Sequence, residues 1–159
     1  MAVNNLPYAL MIVLGGGLIA SALGIGTAGL AAALGYVAYG LFGALWIIVF
    51  LCPSCAYHGT RNCPCGYGTL STYLRRKAET RCFATQFKRH IPVIVPLWFI
   101  PPVVGGAALA RGFSWVLAVL LAAFALDAFL ILPLFSKRHG CAECPQRDDC
   151  PWMGGSCGR

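Results

Sequence analysis

Four long apolar runs constrain this chain more than any other feature. They extend from about Pro7 to Gly24, from about Ala28 to Leu51, from about Ile91 to Ala110 and from about Phe113 to Phe135. The first three carry no charge, and the fourth is interrupted only by Asp127. At a rise of about 1.5 Å per residue, each is long enough to cross a hydrocarbon core of roughly 30 Å. Composition excludes burying them in a soluble core. With 58% hydrophobic and 11% charged residues, too few polar side chains remain to cover four such helices in water; an ordinary soluble domain has about 25% charged residues. The expected fold is an all-α integral membrane protein with four transmembrane helices.

Short turns pair the spans. Gly24-Ile25-Gly26-Thr27 joins the first two and Arg111-Gly112 the last two, and tight turns force antiparallel neighbours. The chain then divides into a first transmembrane hairpin (1–51), a cysteine-rich loop (52–90), a second hairpin (91–135) and a cysteine-rich tail (136–159). Of the 12 Lys and Arg, all but Arg111 lie in the loop and tail. That asymmetry places both cysteine-rich segments, and both termini, on the cytoplasmic side. The expected location is a prokaryotic cytoplasmic membrane. Ala20-Ser21-Ala22 resembles a signal-peptide cleavage site, but no Lys or Arg precedes the first span, so it is read as a retained helix.

Small residues at four-residue spacing fill the first hairpin: Gly16/Ala20, Ala20/Gly24, Ala28/Ala32, Gly29/Ala33 and Ala31/Gly35. Such pairs let helix backbones approach closely in lipid. The third span carries Pro92, Pro96, Pro101 and Pro102. Proline removes a backbone donor and clashes with the preceding turn, so a kink or break is expected near Pro101-Pro102. Asp127 is an intramembrane proton or polar site candidate, since ionisable groups in membranes are costly. The spans as drawn hold no histidine and no C-x-x-C-H motif occurs, so no haem is expected.

The nine cysteines resolve into four, four and one. The loop carries Cys52, Cys55, Cys63 and Cys65; the tail carries Cys141, Cys144, Cys150 and Cys157; Cys82 stands alone. Disulfides are rare in a reducing cytoplasm, and C-x2-C turns aim two sulfurs at one centre. The eight clustered cysteines are therefore candidate metal ligands, with nearby Lys and Arg favouring the thiolate. Zinc could join Cys52/Cys55 to Cys141/Cys144. Iron–sulfur clusters are favoured, because Cys52, Cys63, Cys144 and Cys150 each precede proline, as in some ferredoxin ligand runs. The Cys65-Gly-Tyr-Gly68 turn lets backbone amides approach ligated sulfurs. His58 and His139 are candidate ligands or hydrogen-bond partners of a sulfur.

Thr69 to His90 spaces apolar residues at helical intervals among Arg75, Arg76, Lys77, Arg81, Lys88 and Arg89. This predicts one amphipathic interfacial helix whose cations meet lipid headgroups or dock an acidic cytosolic redox partner. No nucleic-acid motif is present. The expected function is a redox or electron-transfer subunit, in contact with membrane lipids and with other subunits of a membrane complex. The alternatives are an accessory or assembly subunit with structural zinc and, third, a metal or small-solute transporter. Whether the chain is an enzyme in its own right is left open.

Overall fold

The computed structural model describes residues 2–24, 26–63, 65–78, 83–142 and 144–153. Helices α1 (Ala2–Leu23) and α2 (Thr27–Trp46) come first, and α2 continues through a π-turn (Ile47–Leu51) into a 3-10 turn (Cys52–Ser54). Short helices α3 (Tyr67–Leu74) and α4 (Phe83–His90) follow. A 3-10 turn (Ile91–Val93) leads to α5 (Pro96–Arg111) and then α6 (Trp115–Leu126). A π-turn (Asp127–Ile131) joins α6 to α7 (Leu132–Phe135). The architecture is all-helical, with no strand among the described residues. Four helical stretches are long and apolar enough to cross a membrane: Asn5–Leu23, Thr27–Ser54, Phe83–Arg111 and Trp115–His139. Large apolar side chains such as Val13, Leu41, Val103 and Trp115 stand exposed along them. Water would penalise that surface heavily and lipid would not.

The chain forms two compact units. A helical unit comprises Leu6–Phe42 and Ile94–Pro133. A cysteine unit comprises Met1–Asn5, Gly43–Val93 and Leu134–Arg159.

The helical unit is packed by close backbone approach. Gly15 lies under the Tyr36 ring, where a Cβ would sit 2.5 Å from Cε1, and Gly40 takes the Ile12 side chain in the same way. Gly16 faces Val37, Gly29 abuts the Gly24 carbonyl, and Gly105 seats Leu18. The small residues Gly16 and Gly29 thus serve packing within the unit, whereas Gly35 has open space in front of it. Gly24 ends α1 at φ 85°, a left-handed turn that favours glycine.

Two expectations are corrected. The first concerns the break expected at Pro101-Pro102: α5 runs unbroken through both prolines. The interruption lies earlier, at the 3-10 turn Ile91–Val93, just ahead of Pro96 at the start of α5. The reason is local. Pro101 cannot donate to the carbonyl four residues back, and the Tyr36 hydroxyl donates to that carbonyl, Leu97 O, at 2.8 Å.

The same substitution of donor recurs at both π-turns that precede a proline. After Asp127–Ile131, the Leu132 N–H goes to Asp127 O, and Pro133 has none to give. Ala128 O instead accepts the Trp98 indole N–H at 3.2 Å. After Ile47–Leu51, the Cys52 N–H goes to Ile47 O, and Pro53 has none to give. Ile48 O accepts the buried Ser71 hydroxyl at 2.8 Å. Each of these three prolines, Pro53, Pro101 and Pro133, frees a carbonyl that a side chain from another segment of the same unit satisfies.

The second correction concerns the single amphipathic helix expected over Thr69–His90. It is two helices. Arg75 is extended (φ −146°, ψ 146°) and its N–H closes α3 onto Ser71 O at 2.8 Å. Ala78 N–H then bonds to Pro53 O at 2.9 Å, which holds the intervening cationic segment against the end of α2. Arg75, Arg76 and Lys77 therefore follow the C-terminus of α3, where cations complement the helix dipole. The helix α4 leads through the 3-10 turn toward the third span, with Lys88, Arg89 and His90 in its last turn.

Candidate metal centre

The cysteine unit has little regular structure around its thiols. Turns rooted on cysteine carbonyls hold it instead. In the loop, Cys55 N–H bonds to Cys52 O, His58 N–H to Cys55 O and Gly66 N–H to Cys63 O. In the tail, Cys144 N–H bonds to Cys141 O, Arg147 N–H to Cys144 O and Met153 N–H to Cys150 O. Gln146 ties the two segments together: its Oε1 accepts the Ala56 N–H at 2.7 Å and its Nε2 donates to Ser54 O at 3.2 Å. Asn5 Nδ2 donates to Cys65 O at 3.0 Å and so adds the N-terminal segment.

These turns bring seven cysteines onto one cavity of about 280 Å³. Cys52, Cys55, Cys63 and Cys65 come from the loop, and Cys141, Cys144 and Cys150 from the tail. All seven are free thiols. The remaining wall is mostly apolar, with Ile47, Leu51, Phe83 and Phe135 among its residues. Cys157 lies outside the described residues, as do Cys82 and Arg81. As the side chains stand, no three His, Cys, Asp or Glu donors among the described residues are gathered closely enough to hold one metal ion. The sulfurs converge on a space rather than on a point.

Electrostatics reflects that convergence. Burial pushes the Cys55 thiol up to about 11; neighbouring Cys144, Cys63 and Cys150 add to this, and a hydrogen bond from the Tyr57 backbone opposes it. Burial likewise pushes Cys141 up to about 11, with further contributions from Cys150, Cys144, Cys65 and Cys55. Cys65 is raised chiefly by burial and then by Cys63. Basic neighbours were expected to favour the thiolates; in the folded unit, burial and mutual repulsion oppose that. Ionising several of these thiols together requires a positive charge in the cavity.

Gly68 carries the hydrogen bond that the glycine-rich turn foreshadows. Its N–H donates to Cys63 Sγ at 3.3 Å. A Cβ at Gly68 would meet the Tyr57 carbonyl and come within 3.0 Å of the Cys63 Cβ, so only glycine allows this approach. Gly66, at φ 76°, opens the helix that carries it.

Neither His58 nor His139 is among the described residues lining the cavity. His58 is buried, and its Nε2 has no hydrogen-bond partner. His139 is exposed and stacks on Phe135 with ring centroids 4.4 Å apart. In the helical unit, Asp127 is 1% exposed and neither carboxyl oxygen has a hydrogen-bond partner. Gln146 and Asn5 were not foreseen as site residues. An amide at one position among many in a loop or terminus carries no spacing signal.

The chain matches no protein-family model, and neither a curated protein nor a solved structure is significantly similar to it.

Proposed function

We propose that the chain is a small multi-pass membrane subunit that holds an iron–sulfur centre on its cysteines and takes part in electron transfer. One observation carries the reading: seven thiols, drawn from two segments about ninety residues apart in sequence, line a single apolar cavity. A zinc ion bound to four thiolates at about 2.3 Å needs only a tight knot of sulfurs. A cavity of about 280 Å³ suits a larger group. Cys52, Cys55, Cys63, Cys65, Cys141, Cys144 and Cys150 are the proposed ligand pool, together with Cys157.

An iron–sulfur cluster supplies one-electron transfer when bound. The cavity walls are largely apolar, and Gly68 N–H donates to the Cys63 sulfur, two of the protein's means of setting a cluster potential. The charge asymmetry of the sequence supports a cytoplasmic loop, tail and termini. Exposed Lys88 and Arg89 are suited to docking an acidic redox protein. Asp127 is a polar or proton-carrying group of the helical unit.

The accessory reading with structural zinc has one observation in its favour. The Cys52/Cys55 and Cys141/Cys144 hooks line the same cavity, and Cys55 interacts electrostatically with Cys144. The transport reading lacks such support: Tyr8, Tyr36 and Trp98, polar groups in the spans, are engaged with backbone carbonyls. Anaerobic purification followed by iron, zinc and acid-labile sulfide analysis separates these. Iron with sulfide and a visible absorbance that bleaches on reduction is expected. Colourless protein with stoichiometric zinc and no sulfide overturns the redox proposal.

A further inference from the structure

A second cavity in the cysteine unit, of about 170 Å³, is lined by Arg75, Arg76, Gln86, His90, Ser54 and Phe50, with Val49, Pro53 and Ala78 completing it. Among the described residues no carboxylate lines it. Its aromatic wall is Phe50 and His90, with Trp46 packed on Phe50 outside the lining. Trp46 and Phe50 lie 4.2 Å apart between centroids, and His90 stacks on Phe50 at 4.9 Å and 19°. The Arg75 guanidinium carbon sits 5.6 Å from the Phe50 centroid. Stacking on a ring holds a guanidinium with its fork free, and such forks match phosphate oxygens in pairs. The Ala78 N–H to Pro53 O bond, 2.9 Å, pins the Arg75–Ala78 segment beside the turn that ends α2.

The cavity is also placed in a particular way along the chain. Val49 to Ser54 close the stretch Thr27–Ser54, and Gln86 and His90 belong to the first turns of the stretch Phe83–Arg111. Two membrane-competent helices therefore meet their polar ends here. Cationic forks, amide and imidazole donors and an apolar flank (Val49, Phe50, Pro53) occur together in one cavity. We infer that this cavity binds the phosphate of an anionic phospholipid headgroup, with Arg75 and Arg76 as the paired anion contacts. A free phosphate offers the same oxygens but nothing for the apolar flank, so the lipid is the favoured source. This is a specific site and does not depend on the cysteine cavity holding metal.

The test uses the full chain in vesicles of phosphatidylcholine with and without phosphatidylglycerol, then in detergent, counting retained phospholipid by mass spectrometry. Phosphatidylglycerol is expected to stay with the protein in preference to phosphatidylcholine. Arg75→Gln with Arg76→Gln is expected to lower its retention about tenfold, equivalent to about 1.4 kcal/mol. Lys137→Gln with Arg138→Gln removes the same charge at exposed positions outside the cavity and is expected to leave retention near wild type. Arg75→Lys with Arg76→Lys keeps charge but loses the fork, and an intermediate loss is expected; this pair serves if the glutamine variant fails to fold. Equal losses in the cavity and control variants would make the attraction diffuse and overturn the site. Displacement of the lipid by inorganic phosphate alone would overturn the lipid assignment in favour of a free anion.

Discussion

The two units share one device for freed carbonyls but differ in the polar groups they leave buried. The helical unit answers its own demands. Where Pro101 and Pro133 free carbonyls, Tyr36 and Trp98 supply the missing donors, and glycines let the helices approach until side chains such as Ile12 and Leu18 fill the space. The cysteine unit instead gathers seven thiols around an apolar cavity, where burial and mutual repulsion oppose their ionisation. The first unit closes the backbone that these prolines open and leaves the buried Asp127 carboxyl without a hydrogen bond. The second has chemistry that is completed by a cation. The difference locates function: substitutions in the helical unit should register as stability, and substitutions around the cavity as metal content.

The largest expected effect follows directly. Cys55 interacts electrostatically with both groups, with Cys63 of the loop and with Cys144 and Cys150 of the tail. Cys55→Ser is expected to cut bound iron and labile sulfide by tenfold or more, an order of loss seen when a metal ligand shell is disturbed, while far-ultraviolet circular dichroism still reports the four long helices. Loss of helix and metal together would break the comparison, because it would make the helical unit depend on the metal.

The next effect tests the carbonyl argument in both units. Tyr36→Phe orphans Leu97 O, and Ser71→Ala orphans Ile48 O. An unsatisfied buried acceptor costs about 1–3 kcal/mol, which thermal or denaturant unfolding in detergent can measure. Restoring the backbone donor should relieve the cost. Tyr36→Phe in a Pro101→Ala background is expected to be markedly milder than Tyr36→Phe alone, since alanine in place of the proline carries an N–H aimed at Leu97 O. Additive effects in that double-mutant cycle would mean that the hydroxyl does not substitute for the missing donor.

These pairings mark the limit of what the sequence discloses. The four spans are legible because each is a continuous local run, long and apolar enough to cross a membrane. The two cysteine quartets are legible as groups for the same reason. What sequence cannot show is that Cys55 and Cys144 border one cavity, because Gln146 and Asn5 bridge segments far apart in sequence. The break that does not occur at Pro101-Pro102 has the same origin. Proline's local effect is fixed by its ring, but whether the freed carbonyl breaks the helix depends on Tyr36, whose hydroxyl reaches Leu97 O from 61 positions away. The amphipathic stripe over Thr69–His90 misled because period alone ignores the Ala78–Pro53 bond that pulls Arg75–Ala78 out of the helix.

A smaller, pH-dependent effect distinguishes the units again. An ordinary thiol titrates near 9.0, and Cys55 and Cys141 are raised to about 11. The folded state thus favours the neutral form. For metal-free protein, that contribution is present in full below about pH 9 and is lost as pH rises toward about 11, because the unfolded chain then releases protons that the folded chain retains. The melting temperature of metal-free protein is expected to fall across that interval. Metal-loaded protein should show the reverse dependence: protons compete with the metal for sulfur, so acidification weakens it. A metal-free protein indifferent to pH over this window would mean that the thiols are not buried as described.

The smallest effect is expected at Asp127. This carboxyl is among the most buried side chains of the helical unit, yet neither oxygen makes a hydrogen bond. An amide of nearly the same shape therefore removes no bond, and Asp127→Asn is expected to shift stability by less than about 1 kcal/mol, below the cost of orphaning an acceptor. The contrast with Tyr36→Phe is the point of the experiment. Both changes alter one polar group in the core of the same unit, but only Tyr36 completes the backbone. A gain of several kcal/mol in the Asn variant would show that a charge is carried in the helical core, and a comparable loss would reveal a bonded role for the carboxyl. With stability unchanged, a loss of electron transfer in the metal-loaded Asn variant would assign Asp127 to proton movement, and the helical unit would then carry function as well as fold.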